Sequence, residues 1–526
     1  MTVLSFLSAA LILLAALFGS IKAFQMLQQN SYVNSRYGEW LGEKFCGKTV
    51  VLKAVFLAFF SGLGLFLKNA QYVLTALSAV TAVTVFFRSR RVQKSAVKPL
   101  VFTMRVKRMI ITESIILAAV FGLCFVPGAG IYGLIASGLV FVLRELVVPA
   151  VNFINRPVEK AVAQHYIRDA KRILRQSPNI ITVGVTGSYG KTTSKFILAR
   201  ILSEKYTVTV TPESFNTPMG VVRTVRERMI PGTEIFICEM GAKNVGDIKE
   251  ICDIVNPDIG MITSVGPQHL NTFGSLENIV NTKFELADAV CQRGGEMFLN
   301  GDNGLIRARA EGYENSHLYG TGDGLEVRAE NITCSSSGSE FDIVFADGKI
   351  SVSTRLLGSH NVQNITGAAA LARSLGVSDG DIRFAVSSLK ATPHRLEMKS
   401  FVNGATLIDD AYNSNPRGCL EAVNVLSKFE GMKKIIVTPG LVELGEKEYE
   451  CNFALGEAAG RVCDEIYLVG QKRSKPMTDA LEKQGYPAER VFVVSSFREA
   501  MAKLAPTLDK SCAVLFENDL PDNYLK

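Results

Sequence analysis

Five apolar runs fall within the first 143 residues: Val3 to Ile21, Val50 to Leu67, Tyr72 to Phe87, Met109 to Val126 and Gly128 to Leu143. Hydrocarbon offers the backbone no hydrogen-bond partner, so apolar runs of about 17 to 25 residues placed in it have to be helical. The expectation is a helical transmembrane region over residues 1–150 with five spans. Arg144 and Glu145 close the last run and make it the least regular, so four spans is the alternative.

Between the third and fourth runs stand Arg88, Arg90, Arg91, Lys94, Lys98, Arg105, Lys107 and Arg108, with no acid among them. These eight charges exceed the net charge of the whole chain, +7. The basic character is therefore local, and it reads as a topology signal rather than a nucleic-acid surface. With that loop in the cytoplasm and five spans, the amino terminus lies outside and everything after residue 150 is cytoplasmic. No Lys or Arg precedes the first run and further runs follow it, which speaks against a cleaved signal peptide. The ten cysteines form no CxxC pair, which suits reduced thiols, with Cys238 and Cys463 expected in core strands.

Residues 151–178 mix apolar and basic positions at helical spacing up to Pro178, the pattern of an amphipathic connector. From Ile180 strand and helix patterns alternate, predicting an α/β fold. A central P-loop ATPase-type parallel-sheet domain is expected over 179–393, with a small β-rich insertion near Leu318 to Leu357. A Rossmann-like α/β domain is expected over 394–526, its strands in "ATLIDDAYN", "KKIIVTPG", "EIYLVG" and "RVFVVSS".

The stretch "GVTGSYGKTTS", Gly184 to Ser194, follows one strand pattern and opens a helix pattern. Thr186, Gly187, Ser188, Tyr189, Gly190, Lys191, Thr192 and Thr193 have the composition of a phosphate-binding loop. Its glycines let the backbone approach a polyphosphate, and the following helix offers its first NH groups to the anion. Lys191 would reach the β- and γ-phosphates and Thr192 would set its hydroxyl on Mg²⁺. Val185 stands where the longer GxxxxGK[ST] form has its first glycine. Glu239 ends the strand pattern "EIFICEM", on the edge where α/β sheets bind ligands. Taken alone, His269 fits a metal ligand or a structural histidine, and Lys283 a solvated surface charge.

The segments "TGSYGKTTSK", "NTPMGV", "CEMGAKNVGDI", "HLNTFGSLENIVNTKFE", "GSHNVQNITGAAALA", "HRLE" and "IDDAYNSNPRG" occur in one order along the chain. In that order and spacing they resemble the Mur ligases, most of all the branch that adds D-alanyl-D-alanine to a UDP-muramoyl tripeptide. The resemblance covers residues 180–480. It implies an ATP-dependent amide synthetase working through an acyl phosphate, with ATP and Mg²⁺ as cofactors. It also implies that the absent first glycine is the family's short loop rather than a defect.

By match to the motifs, Thr192, Glu239 and His269 would hold Mg²⁺, and Lys283 would be the lysine that family members carbamylate. Lys191, Lys283 and His269 are the residues the resemblance places in catalysis. Asn361 and Asn364 would bind adenine, Arg395 a phosphate, and Asp410, with Asp409 as its alternative, the ribose. Asn216 would lie near the acceptor or the phosphates. The family's UDP-binding fold would precede the P-loop domain, and here the apolar region occupies that place. The expected partners are accordingly a cell-envelope peptide precursor, lipid-linked or not, an amine acceptor and membrane lipid. A poly-γ-glutamate or capsule-type synthetase and a non-catalytic nucleotide-sensing subunit of a wall-synthesis complex are the alternatives.

Overall fold

The computed structural model describes residues 3–44, 47–66, 71–96, 98–128, 130–177, 179–213, 215–268, 270–412, 415–442, 444–471 and 473–518. They form two compact units, the first ending at Gln164 and the second beginning at His165.

The first unit is helical: α1 (Val3–Gly19), α2 (Ile21–Gln29), α3 (Asn34–Lys44), α4 (Gly47–Phe66), α5 (Gln71–Ser95), α6 (Met104–Gly122) and α7 (Gly130–Arg175). Among the described residues four helical stretches are long and apolar enough to cross a membrane: Val3–Gln29, Gln71–Ser95, Met104–Phe125 and Gly130–Arg175. The remaining expected run, Val50 to Leu67, lies on α4, whose described apolar stretch is Val51–Gly62. Between the first two apolar runs, residues 22–48 are mostly helical, in α2 and α3. The connector after residue 150 is not a separate element, because α7 runs unbroken through Pro149 and Pro157 to Arg175.

α1 packs along α5, with the Ser8 and Thr75 hydroxyls 2.9 Å apart. The inward side chains Ile12, Leu74, Leu117 and Leu134 are buried together. Large apolar side chains instead cover the outer surface, among them Leu52 at 72% exposure, Tyr72 at 74% and Ile115 at 64%.

In the second unit the chain passes through β1 (Ile181–Thr186), α8 (Lys191–Leu202), β2 (Val208–Val210), α9 (Pro218–Glu227), β3 (Ile235–Glu239), α10 (Asp247–Val255) and β4 (Ile259–Ile262). It continues with α11 (Leu270–Phe273), α12 (Leu276–Cys291), β5 (Glu296–Asn300), α13 (Gly304–Ala310), β6 (Ser316–Gly320), β7 (Val327–Ser335), β8 (Gly338–Phe345) and β9 (Gly348–Thr354). These strands make one sheet in the order β2-β3-β1-β4-β5-β6-β7-β8-β9. β1 pairs in parallel with both β3 and β4, so the chain reverses its direction of travel across the sheet there, the position at which such sheets bind ligands. The expected β-rich insertion is present as β7, β8 and β9, and it extends the main sheet in antiparallel pairing.

Helices cover both faces of the sheet. One layer holds α8 with α14 (Ser359–Ser374) and α15 (Asp379–Ser387), and the other holds α9, α10, α12 and the last turns of α7. The small side chains of "TGAAALA" let α14 lie close against the strands. A Cβ at Gly367 would stand 2.5 Å from the ring of Tyr319 and 2.6 Å from Met261 Cε.

A second sheet follows, built from β10 (Glu397–Ser400), β11 (Thr406–Asp410), β12 (Lys433–Thr438), β13 (Glu465–Val469), β14 (Val491–Val494) and β15 (Cys512–Glu517). Its order is β10-β11-β15-β12-β13-β14. The helices between its strands are α16 (Pro416–Ser427), α17 (Glu448–Val462), α18 (Lys475–Lys483) and α19 (Phe497–Leu504). The nine described cysteines are free, and Cys238 and Cys463 are buried in core as expected.

Because the space above Gly367 is filled by the rigid Tyr319 ring, Gly367→Ala is expected to destabilise the second unit by about 1–3 kcal/mol. Thermal unfolding followed by tyrosine fluorescence would register this as a lower midpoint.

Candidate active site

Val185 is a strand residue, buried and paired in register with Glu239 of β3 and Met261 of β4. The loop after it is shaped by contact with residues 263–267. Gly187 has φ +151°, and a Cβ there would run into the Thr263 hydroxyl. Gly190, at φ +80°, caps α8, with Asn364 Oδ1 3.0 Å from where its Cβ would stand. The Ser188 amide donates to Ser264 O at 2.7 Å and its hydroxyl to Gly266 O at 3.0 Å. The Tyr189 amide donates to Ser264 Oγ at 2.9 Å and its hydroxyl to Pro267 O at 2.8 Å. Thr186 Oγ1 donates to Met240 O, and Thr193 lies half-buried in the first turn of α8. The loop conformation thus depends on the β4–α11 connection as much as on its own glycines.

Lys191 folds back over this loop, its ammonium donating to Gly187 O at 2.7 Å and Ser188 O at 3.1 Å. Those carbonyls stand in for the anion that a phosphate-binding lysine is shaped to meet. Desolvation pulls its amine down to about 8, the Glu239 carboxylate opposes that fall, and the Arg395 charge adds to it.

Glu239 is buried at the end of β3 with both oxygens engaged. Oε1 accepts from the Thr192 hydroxyl at 3.1 Å and from Asn216 Nδ2 at 2.9 Å, and Oε2 lies 2.8 Å from Lys195 Nζ. Burial pushes this carboxyl up, but the charges of Lys195 and Lys191 outweigh it and hold the group below its ordinary range. Lys195, which the sequence reading passed over, is fully buried and also donates to Glu213 O. Its signal was its place on the buried face of α8, between Ser194 and Ile197.

Lys283 is buried on α12, not a surface charge. Its amine is pulled down to about 7 by desolvation and by the charge of Lys191, against the opposing pull of Asp247 and Glu285. His269 lies outside the described residues.

A hard cation could find oxygen donors here. The Thr192 hydroxyl and the Glu239 carboxylate already face each other, and Mg²⁺ needs one or two protein oxygens when phosphates and water supply the rest. Among the described residues no cluster of three or more His, Cys, Asp and Glu groups has metal-site geometry.

Asn361 and Asn364 are buried on the first turns of α14. Asn361 Nδ2 donates to Leu357 O at 2.8 Å, and Asn364 Oδ1 accepts from Ser194 Oγ at 3.0 Å, so α14 is tied to the helix that starts at Lys191. Arg395 lies between His394 and Leu396, whose φ values are +58° and +46°. Positive φ on two such side chains is a strained backbone, of the kind found at functional segments. The Arg395 guanidinium stacks over the Tyr412 ring at 4.7 Å, and its charge reaches both Lys191 and Asp410.

The neighbouring acids separate clearly. Asp409 Oδ2 is held by His394 Nδ1 and Lys399 Nζ, both at 2.8 Å. Asp410 accepts from the Leu396 amide at 3.1 Å and hydrogen-bonds Glu517. Burial lifts Asp410 to about 6 against the opposing charge of Arg395. Glu517, fully buried at the end of β15, was not singled out in the sequence.

The model of the Mur ligase middle domain matches residues 185–372, and that of the Mur ligase glutamate ligase domain matches 394–517. The UDP-N-acetylmuramoyl-tripeptide-D-alanyl-D-alanine ligase of Synechocystis sp. is 30% identical over 406 residues, 72% of this chain and 83% of that protein. The chain belongs to the Mur ligase family. The Bacillus subtilis ligase of the same name is 33% identical over 268 residues, and the match spans 51% of this chain and 57% of that relative. The crystal structure of the MurF ligase from Thermotoga maritima in complex with ADP is 27% identical. It covers 68% of this chain and 80% of its own, with a TM-score of 0.60. Lys191, Thr192 and Glu239 thus fall in the Mur middle domain, and Arg395 and Asp410 in the C-terminal one.

Only the protonated Lys191 attracts polyphosphate, and its amine titrates near 8. ATP affinity is therefore expected to be flat below pH 7 and to fall about tenfold per unit above 8. Calorimetric titration at pH 7 and pH 9 should give Kd values differing by about tenfold.

Proposed function

We propose that the chain is a membrane-bound ATP-dependent peptide ligase. It joins an amine acceptor, D-alanyl-D-alanine by analogy with its relatives, to the carboxylate of a muramoyl-peptide precursor carried on a lipid. What carries the reading is the meeting of Lys191, the Thr192–Glu239 pair and buried Lys283 at one edge of the sheet, inside the matched Mur domain.

The donor carboxylate attacks the γ-phosphorus of ATP, the bond to the β-phosphate oxygen breaks, and ADP leaves an acyl phosphate. The amine then adds to the acyl carbon, phosphate departs and the nitrogen loses its proton. Loop amides and Lys191 hold the phosphates and meet the charge on the transferred group. Mg²⁺, held by Thr192 and Glu239 with His269, would neutralise phosphate charge. Asn361 and Asn364 would take adenine and Arg395 a phosphate. Asp410 is the better ribose partner, since Asp409 is already committed to Lys399 and His394.

Carbamylation of Lys283 is the finer part of the proposal. The reaction with carbon dioxide needs a neutral amine, which an amine near 7 supplies at physiological pH, whereas an ordinary lysine at about 10.4 stays charged. The product carbamate would be an anion facing Lys191.

Support for membrane attachment comes from the four long apolar helices and from the large apolar side chains that cover the first unit. The ligase domains would then face the cytoplasm.

ADP formation by the purified full chain should require carboxylate and amine together, and should be faster with a lipid-linked muramoyl tripeptide than with the UDP-linked one. ATP turnover indifferent to both would sink the ligase reading, and preference for the UDP donor would sink the lipid-linked part. Lys191→Ala is expected to lower ligation at least about a hundredfold. Lys283→Ala should lose most activity and regain part of it with a short-chain carboxylic acid, and wild-type activity without the acid would remove the carbamate.

A further inference from the structure

The corner between α5 and α6 takes no part in the ligase chemistry. Arg88, Arg90, Arg91 and Lys94 are exposed on the last turns of α5. The ion pairs of this unit, Lys53–Glu145, Arg108–Glu159 and Arg144–Glu145, leave all four out. Among the described residues no carboxylate pairs with any of them. Arg88 and Arg91, Arg91 and Lys94, and Arg90 and Lys94 are neighbours one turn apart, a spacing at which like charges repel.

This is a built surface rather than a loose basic loop. Gln25 and Gln29 each donate to Lys98 O at 2.7 Å. Gln28 both accepts from the Val101 amide and donates to its carbonyl, each at 2.9 Å. Gln93 accepts from the Leu100 amide at 2.8 Å and donates to Gln25. Four glutamines thus pin the connection that follows the cations.

Eight residues of α5 between Thr84 and Ser95, among them Phe87, Arg88, Arg90, Arg91 and Lys94, line an open groove of about 1030 Å³. Next to it Val101, Phe102 and Met104 stand more than half exposed. Topology alone asks for net positive charge in this loop. It does not ask for a pinned backbone, nor for arginine, the bidentate phosphate ligand, at three of the four positions.

We propose that this corner binds the headgroup of a lipid bearing two phosphates, with its chain lying at the Phe87 end. Four cations without a carboxylate partner among the described residues, within seven positions, outnumber the charge of a single phosphodiester. Arg88 and Arg91, one turn apart, can each take one phosphate. The site rests on the membrane reading of the first unit and is independent of the peptide that the ligase extends.

The test uses the full chain in phosphatidylcholine nanodiscs containing either a polyprenyl diphosphate or phosphatidylglycerol, with lipid retention read by native mass spectrometry after release into detergent. One diphosphate lipid should be retained per chain and should survive an excess of phosphatidylglycerol. Arg88→Gln with Arg91→Gln should cut its retention at least about tenfold, and Arg88→Lys with Arg91→Lys, which preserves charge and hence orientation, about threefold. Circular dichroism and the unfolding midpoint establish that the variants are folded.

Equal retention of the two lipids, displacement by equimolar inorganic pyrophosphate, or glutamine variants that retain the lipid as the parent does would each overturn the site. A chain that alkaline carbonate releases from membranes would overturn the membrane reading and the site with it. Unchanged retention in a chain that only detergent extracts would overturn the site alone.

Discussion

The buried carboxylate of Glu239 is the constraint on which the nucleotide half of the molecule turns. A lone carboxylate in a protein interior costs several kcal/mol, so it persists only where partners surround it. Here three partners come from two elements: Lys195 and Thr192 from α8, and Asn216 from the turn before α9. The strand that carries Glu239 lies beside β1, which feeds the phosphate loop. Sheet register, helix start and charge balance therefore fix one another. The arrangement leaves Oε1, shared with the Thr192 hydroxyl, facing the loop while Lys195 occupies Oε2, so any cation held here meets a carboxylate that is already half neutralised.

Local patterns made much of this legible. The P-loop, the strands flanking it and the change to short alternating strands near residue 318 are written in neighbouring residues. Lys195 was not legible, because its role exists only when the buried face of α8 meets β3. Lys283 shows the same effect from the other side: "NTKFE" alone reads as a wet helix face, and only packing of α12 against the sheet buries the amine. Strand β15 was missed although "CAVLFE" is apolar, because its place between β11 and β12 is set by long-range pairing. The connector expected after residue 150 merges with the last apolar helix, although Pro149 and Pro157 lie inside it. α7 passes through both, with the Pro149 carbonyl accepting from Asn34 Nδ2.

Several polar groups of the helical unit are closed off by the same logic as in the ligase site, while Gln29 Oε1 and Glu113 Oε2 are buried without a hydrogen-bond partner among the described residues. The hydroxyls of Ser8 and Ser78 return to carbonyls one turn back on their own helices. Tyr37 donates to the carbonyl of Glu145, whose carboxylate pairs with Lys53. Such closure is what an apolar solvent demands, since an open donor or acceptor there has no water to turn to. The outer surface obeys the complementary rule, with large apolar groups exposed that water would disfavour.

A donor dissolved in water must be captured from bulk by contacts remote from the reacting carbon, which is what a dedicated nucleotide-sugar fold supplies. A donor confined to one leaflet is already concentrated at the surface where a tethered enzyme works. Its encounter resembles an intramolecular one, governed by effective concentration rather than by intrinsic affinity. On the lipid-linked reading, the helical unit thus replaces recognition energy with confinement. The contacts that remain necessary are those that hold the headgroup long enough for the acyl phosphate to form and be captured by the amine. On that reading, the cations at the end of α5, beside a connection that glutamines hold in place, would meet that need without reading the peptide, leaving specificity for the peptide to the ligase domains.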